Sequence, residues 1–352
     1  MTAATKRAGA KAPAKARPGD RPPSGGWRIV AAKELADHLG SVRFFVVFLV
    51  LGLAGAAAIY SVSQQITSVA AGVVSTQSLF PLLFTLSASD IANSTQQTAN
   101  TPLPAFVTLV AWLAPLFGIA FGFDAVNRER SERTLPRLLA QPIYRDDVIN
   151  GKFAAGLTAI AIALGAILLI ITAWGVLQLG VIPTADDVAR LLIWYAFTIV
   201  YIGFWLGLAT LCSVVMRRAA SSALVAIAFW LVFSLFGNLL ITTVVGFLAP
   251  VGATASQADV LAAGHLQDTL NRISPDSMFQ IATQAILNPH LTASIMTTDQ
   301  LVAANQQGTL PSVLSLDQSL LVVGPQLLAL IALTAVFFAL AYIAFMRQEV
   351  RA

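Results

Sequence analysis

Charge is what this sequence has least of. Of its 352 residues, 11% are Asp, Glu, Lys or Arg and 57% are hydrophobic, and the mean hydropathy is +0.76. A soluble domain carries about 25% charged residues, so the composition excludes a chain wetted mainly by water. Cysteine is almost absent as well. Cys212 stands alone inside an apolar run, which excludes an intrachain disulfide and leaves the redox compartment unmarked. Three histidines, His38, His265 and His290, are too scattered for metal-ligand spacing. There is no hydrolytic triad, no metal cluster and no phosphate-binding loop of the form G-x-x-x-x-G-K-(S/T). The one Gly-Lys pair, Gly151-Lys152, has Asp146 in place of the first glycine and Phe153 in place of the hydroxyl residue. Catalytic, cofactor-binding and metal-binding residues are therefore expected to be none on this chain.

What the sequence does have is long apolar runs. A spanning helix needs about 20 mostly apolar residues, and such runs lie at roughly 44–62, 105–123, 153–178, 190–216, 219–249 and 321–346. They imply an all-α integral membrane protein with about six transmembrane helices. The fifth run is long enough to be tilted, kinked near Gly237 or Gly246, or partly re-entrant, and only a tight turn around Arg217 and Arg218 joins the fourth to the fifth. The runs are essentially free of charge. This argues against an ion-coupled carrier, which needs ionisable groups at the membrane midplane. No polar stripe follows any run, which disfavours a stand-alone channel.

Nineteen of the 21 Lys and Arg fall before the first run, between the second and third, just after the fourth, or in the C-terminal tail; only Arg190 and Arg272 fall on the other side. Cytoplasmic flanks concentrate Lys and Arg, so both termini are expected in the cytoplasm of a multi-pass cell-membrane protein. The leader before the first run spans residues 1–43, longer than a signal peptide's basic region, so that run is expected to be retained. The pI near 9.5 reflects this placement and calls for no nucleic acid. Residues 1–26 read as a disordered basic tail attracted to anionic lipid. Residues 27–43 read as an amphipathic interfacial helix with Trp27, Val30, Ala31, Leu35 and His38 on one side. The membrane-embedded body covers 44–346, and 347–352 form a cytoplasmic tail.

Two segments face outward, about 62–104 and 250–320. In the second, Val260, Leu266, Leu270 and Ile273 suggest one helix. Ser274 as N-cap, Pro275 in the first turn, and the stripe Met278, Ile281, Ala282, Ala285 and Ile286 suggest another. These helices suit an interfacial position or a small lid. Thr184 is placed to cap a helix whose first turn carries Asp186 and Asp187.

The informative stretch runs from Asp124 to Lys152. It is highly charged, yet Leu135, Leu138, Leu139 and Ile143 form a helical stripe between Thr134 and Pro142. A short amphipathic helix on a polar loop fits a groove in another protein, or equally its own bundle at the lipid surface. The order Glu129-Arg130, Thr134-Leu135, Leu138-Leu139, Pro142, Arg145 and Gly151-Lys152 resembles the signature loop of the ABC type-2 permease family, directly after the second span. The N-terminal Lys33-Glu34-Leu35, the six-span plan and the Ser-Pro helix before the last span are also similar to that family. Arg133 stands where the family usually has Gly, and Pro136 where a polar residue is common; neither touches the stripe.

The resemblance implies a membrane half-transporter, with a second permease copy beside it and separate ABC ATPase subunits docked on the loops, ATP and Mg being held on those subunits. It implies an exporter of a cargo that the family does not specify. It places Glu129, Arg130 and Glu132 against the ATPase or the turn, and Thr134, Leu135, Leu138, Leu139, Pro142 and Arg145 on the docking helix. Gly151 then allows close packing and Lys152 anchors the third span at the head groups. Trp112, Ser234, Asn238 and Thr242 are polar or amphipathic residues of spans two and five, which could line a path or simply bond helix to helix. The alternative is an ATPase-coupled scaffold or sensor without bulk transport. A single cysteine placed near residue 10 or residue 131 should react with an impermeant maleimide only in inside-out vesicles; labelling from outside would reverse the topology.

Overall fold

The computed structural model describes residues 26–69, 79–94, 103–132, 144–180, 182–252, 255–288 and 315–348. The tail before Gly26 and the docking stripe between Arg133 and Ile143 lie outside the described residues. Among the described residues the regular elements are helices: α1 Gly26–Leu39, α2 Val42–Val69, α3 Leu79–Thr85, α4 Ala88–Ser94, α5 Phe106–Gly122, α6 Asn127–Ser131, α7 Arg145–Leu179, α8 Ala185–Val215, α9 Ala219–Trp230, α10 Gly237–Leu248, α11 Gln257–Asn271, α12 Pro275–Leu287 and α13 Leu316–Arg347. Five are long and apolar enough to cross a membrane: α2, α5 continued through α6, α7, α8 and α13. A sixth, α9 with α10, is broken and bent by 59°. The chain is an all-α, multi-pass membrane protein.

Several helices outrun their apolar stretches. The third spanning helix starts at Arg145, before the apolar residues begin, and the fourth at Ala185, behind a capping box between Thr184 and Asp187. In span five the break is a π turn over Leu231–Leu235, where the Phe236 N–H reaches the Leu231 carbonyl at 3.1 Å. One extra residue in the turn rotates the following side chains and supplies the kink.

Helix α8 is the central post: α5, α7, α9, α12 and α13 all pack on it, and it is the most buried span, whereas α13 is the least. Lipid is as apolar as leucine, so association here relies on close packing and interhelical hydrogen bonds. Gly118 and Gly122 of α5 supply the first. A Cβ on Gly118 would sit 2.7 Å from the Ile202 carbonyl oxygen, and one on Gly122 2.7 Å from the Ala209 Cβ. Above this contact Phe106, Trp194, Phe197, Tyr201 and Phe279 are all buried, with Tyr201 and Phe279 stacked at 4.2 Å.

Hydrogen bonds supply the second. Pro115 lies inside α5 and has no N–H to give the Ala111 carbonyl four residues back. The Tyr201 hydroxyl donates to that carbonyl instead, at 3.1 Å. At the end of the bundle opposite α1, Arg190 donates to Asp186 Oδ2 (2.6 Å), to the Ile286 carbonyl (3.0 Å) and to Ser319 Oγ (3.1 Å). It joins α8 to the C-terminus of α12 and the start of α13, where a cation suits the helix dipole.

The outer helices are less uniform than the sequence suggests. On α11, Ala263, Leu266 and Leu270 pack against Ile241 and Val245 of α10, but Val260 and, in the turn after the helix, Ile273 remain exposed. Helix α12 has the Ser274 cap and Pro275 start, and it is wedged into the bundle with Met278, Phe279, Ala282, Ala285 and Ile286 buried. It is core, not a loose cover.

Replacing Gly118 with Val should destabilise the protein by about 1–3 kcal/mol through overpacking against backbone. Gly246→Ala, where a Cβ meets nothing within 4 Å, should leave the thermal midpoint in detergent unchanged or slightly raised.

Candidate functional site

At the α1 end of the bundle the polar residues that the spans lack are gathered together. Helix α5 ends at Gly122, four turn residues follow, and α6 carries Asn127–Ser131. Ser213 Oγ near the end of α8 accepts the N–H groups of Val126 (3.0 Å) and Asn127 (3.3 Å), satisfying donors at the start of α6. This turn therefore cannot move without α8.

Lys152 is the centre of the site. Its ammonium lies 2.7 Å from Glu129 Oε1 on α6 and 3.1 Å from Glu34 Oε1 on α1, with only 7% of the side chain exposed. It points into the protein, held between two carboxylates, and not toward head groups. The residue just before it, Gly151, lets α1 lie directly on α7: a Cβ there would come within 2.7 Å of Val30 Cβ and 2.8 Å of the Trp27 carbonyl oxygen. The close approach brings Glu34 within reach of Lys152. Burial works to raise the Glu34 carboxyl, but Lys152 and then Lys33 outweigh it and hold it below its ordinary value. Lys33 also pairs with Glu34 and Asp37, at 3.1 and 3.2 Å, and these raise it above its ordinary value despite partial burial.

A second pair ties in the first span. Arg43 at the start of α2 donates to Asp124 Oδ2 at 2.6 Å and lies over the Phe123 ring. His38 rests against Phe121, ring centres 4.8 Å apart, and burial keeps it neutral by lowering its pKa. Between these groups is a cavity of about 560 Å³, bordered by Asp37, Arg43, Arg128, Glu129, Glu132 and Lys152 among others.

The third tie reaches the C-terminus. Arg130 donates to the Met216 carbonyl at 3.3 Å and to the amide oxygen of Gln348, just past α13. Gln348 Nε2 donates in turn to the Val214 carbonyl at 2.7 Å, at the end of α8. Arg145 donates to the Phe345 and Gln348 carbonyls at 3.3 and 3.0 Å, satisfying the last turn of α13. Glu132 is exposed and, among the described residues, pairs with Arg128 at 3.1 Å.

Of the loop residues singled out by sequence, Glu129, Arg130, Arg145, Gly151 and Lys152 thus converge on one knot, and Glu132 sits at its edge. Thr134, Leu135, Leu138, Leu139 and Pro142 lie outside the described residues. Trp112 is 41% exposed on α5, and Asn238 and Thr242 are exposed on α10, so one chain alone does not enclose them. The Thr242 hydroxyl donates to the Asn238 and Leu239 carbonyls, a bond internal to its own helix. Ser234 lies on the π turn with its hydroxyl buried. Glu34, Asp124, Arg43, Ser213 and Gln348 complete the knot, and of these only Asp124 and the Lys33-Glu34-Leu35 triplet carried a sequence signal. Ser213 and Gln348 had none, because each acts through backbone groups far away in the chain.

Mechanically, the arrangement fastens one loop to α1, α2, α7, α8 and α13 at once. A force on the loop must reach four spans. Compared with known families, residues 28–350 match the one described as ABC-2 family transporter protein. No curated protein matches the chain.

Removing the shared cation should be costly. Lys152→Met leaves two buried carboxylates facing each other, and the loss should be about 3–5 kcal/mol, read as a lower unfolding midpoint in detergent. Adding Glu34→Gln and Glu129→Gln should recover most of it. Because Glu34 is held below its ordinary 4.5, its contribution is complete above that pH and disappears as pH falls through the depressed value. The α1 contact should therefore loosen on acidification, and Lys152→Met should reverse that dependence, because burial and the facing Glu129 then raise the Glu34 carboxyl.

Proposed function

Because the chain belongs to the ABC-2 transporter family, and so is a membrane-spanning permease component of an ABC transporter, we propose that it exports its cargo from the cytoplasm, driven by ATP hydrolysis on a separate ABC ATPase subunit. The observation that supports this most directly is the fastening of the α5–α7 loop to the cytoplasmic ends of the spans. Two permease copies form the path, and two ATPase subunits dock on the two loops from the cytoplasmic side, where both termini lie.

The stripe Leu135, Leu138 and Leu139 seats in the ATPase groove, with Thr134 and Pro142 bounding the helix. ATP and Mg²⁺ stay on the partner. When the ATPase pair closes, the docked helix is displaced and the displacement enters this chain at Glu129 and Arg130. Lys152 passes it to α7 and, through Glu34, to α1; Gln348 and Arg145 pass it to the ends of α8 and α13. Buried ion pairs suit this work because a pair in a dry site is stiff and directional, whereas an exposed pair is weak. Glu132 and Arg128, exposed beside the docking helix, are loop charges free to meet the partner's surface. The spans offer small hydroxyls and aromatic rings but few charges, which fits an amphiphilic or apolar cargo.

Changing Leu135, Leu138 and Leu139 together to Asp should weaken ATPase binding at least about a hundredfold, since each buried leucine contributes about 1.5–3 kcal/mol. Co-purification and permease-stimulated ATP hydrolysis in proteoliposomes measure it. Undiminished binding with undiminished cargo flux would overturn the docking assignment. ATPase binding that persists without any flux would favour a scaffold or sensor.

A further inference from the structure

The apolar runs are essentially free of charge, yet the fold carries an ionisable group to them from outside. Helix α12 belongs to the outer segment between spans five and six, and Asp276 is in its first turn. That end of α12 lies beside the break in span five: a Cβ on Gly237 would be 3.8 Å from Ser274 Oγ. Asp276 Oδ1 is 3.4 Å from the Tyr201 hydroxyl, the only hydrogen-bond partner of this carboxyl among the described residues. Trp205 Nε1 and Ser234 Oγ face the same phenol and close no hydrogen bond of their own. Spans two, four and five and the outer helix therefore meet at one polar point.

The proton count at this point is informative. Tyr201 has a single hydroxyl proton, and the carbonyl orphaned by Pro115 takes it. The phenol oxygen can then only accept toward Asp276. Two oxygens that both only accept repel one another, so the contact is attractive when the carboxyl itself carries a proton and donates it. We infer that Asp276 is a proton-binding site whose protonated form latches the outer helix α12 onto Tyr201 of span four, and whose ionisation releases it.

The surroundings agree. Of the elements packed against α12, α3, α5, the π turn and α10 have no titratable side chain. On α8, Arg190 with Asp186 and Asp187 engages the opposite end of α12, while Tyr195 is bonded to the Ala161 carbonyl of α7. On α13, Asp317 opens the helix near that same opposite end, whereas Tyr342 and Arg347 lie toward the basic end. Among the described residues no cation compensates the carboxylate, and burial raises it to about 7. Arg272 and Ile273, in the turn just before, are exposed and give solvent a route to the site.

For the sign, the latched state binds the proton more tightly than a released carboxyl with the ordinary value of 3.8. Latching is therefore complete below that ordinary value, weakens as pH rises toward about 7, and levels off above. This inference does not rest on the transport reading, and its test uses the full permease alone in nanodiscs without an ATPase. Hydrogen exchange over residues 275–287 is compared between wild type and Asp276→Asn at matched pH. Between pH 5 and pH 8 the wild-type rate should rise on the order of a hundredfold relative to Asp276→Asn, and Tyr201→Phe should exchange quickly at both. A wild-type to Asp276→Asn ratio that stays constant from pH 5 to pH 8 would overturn it. Should Asp276→Asn fail to fold, infrared titration of the wild type labelled with ¹³C-aspartate decides. A protonated carboxyl band persisting at pH 6 and lost by pH 8 upholds the site, and its absence at pH 6 refutes it.

Discussion

In lipid a hydrogen-bonding group that lacks a partner in the protein finds none in the solvent, and each such group costs several kcal/mol. The central packing of this molecule follows from that constraint. Hydroxyls inside the spans return to their own helix, as Thr198 does to Trp194, Thr210 to Leu206 and Thr334 to Leu330, at 2.7–2.8 Å. Where proline breaks the ladder at Ala111, a tyrosine from the neighbouring span repairs it. With backbone demands met in this way, α8 can be surrounded on all sides, and two glycines on α5 bring that helix into near-backbone contact with it.

At the basic end the same economy takes an electrostatic form. Lys152 is desolvated by the close seat of α1 on α7, and this burial is tolerable because two carboxylates from different helices share the charge. The consequence is mechanical. A salt bridge at the surface would yield easily, but a dry one links α1, α6 and α7 as one body. The Gln348 bonds extend that body to α8 and α13. The described flanks of the loop proposed to meet the ATPase are thus tied into the bundle on both sides, which suits a lever better than a flexible tether.

The two ends of the molecule use charge differently. At the basic end Lys33, Arg43 and Lys152 are matched by carboxylates, whereas at the opposite end Asp276 has, among the described residues, only a phenol beside it. A matched network resists titration near neutrality, and a carboxyl with no cation responds to it. Stiffness at one end and pH sensitivity at the other follow from the same rule about uncompensated charge in a poor solvent.

Length and hydropathy alone determined that this is a helical membrane protein with about six crossings, because a lipid core of fixed thickness demands runs of fixed length. They likewise determined the caps at Thr184 and Ser274, which depend on neighbouring residues, and the loop signature from Glu129 to Lys152, which is contiguous. Helix ends were less legible: α7 begins at Arg145, ahead of its apolar run, since a helix persists past its lipid-facing part. In span five the sequence offers Gly237 or Gly246 as the bend, and the π turn places it just before Gly237. Only the tertiary structure decided that Lys152 faces inward to Glu34, that Gln348 ties the end of the last span to Arg130 and to the end of α8, and that Asp276, on an outer segment, reaches Tyr201. Those pairings join residues scores of positions apart, and no local pattern encodes which distant partner a buried charge will meet.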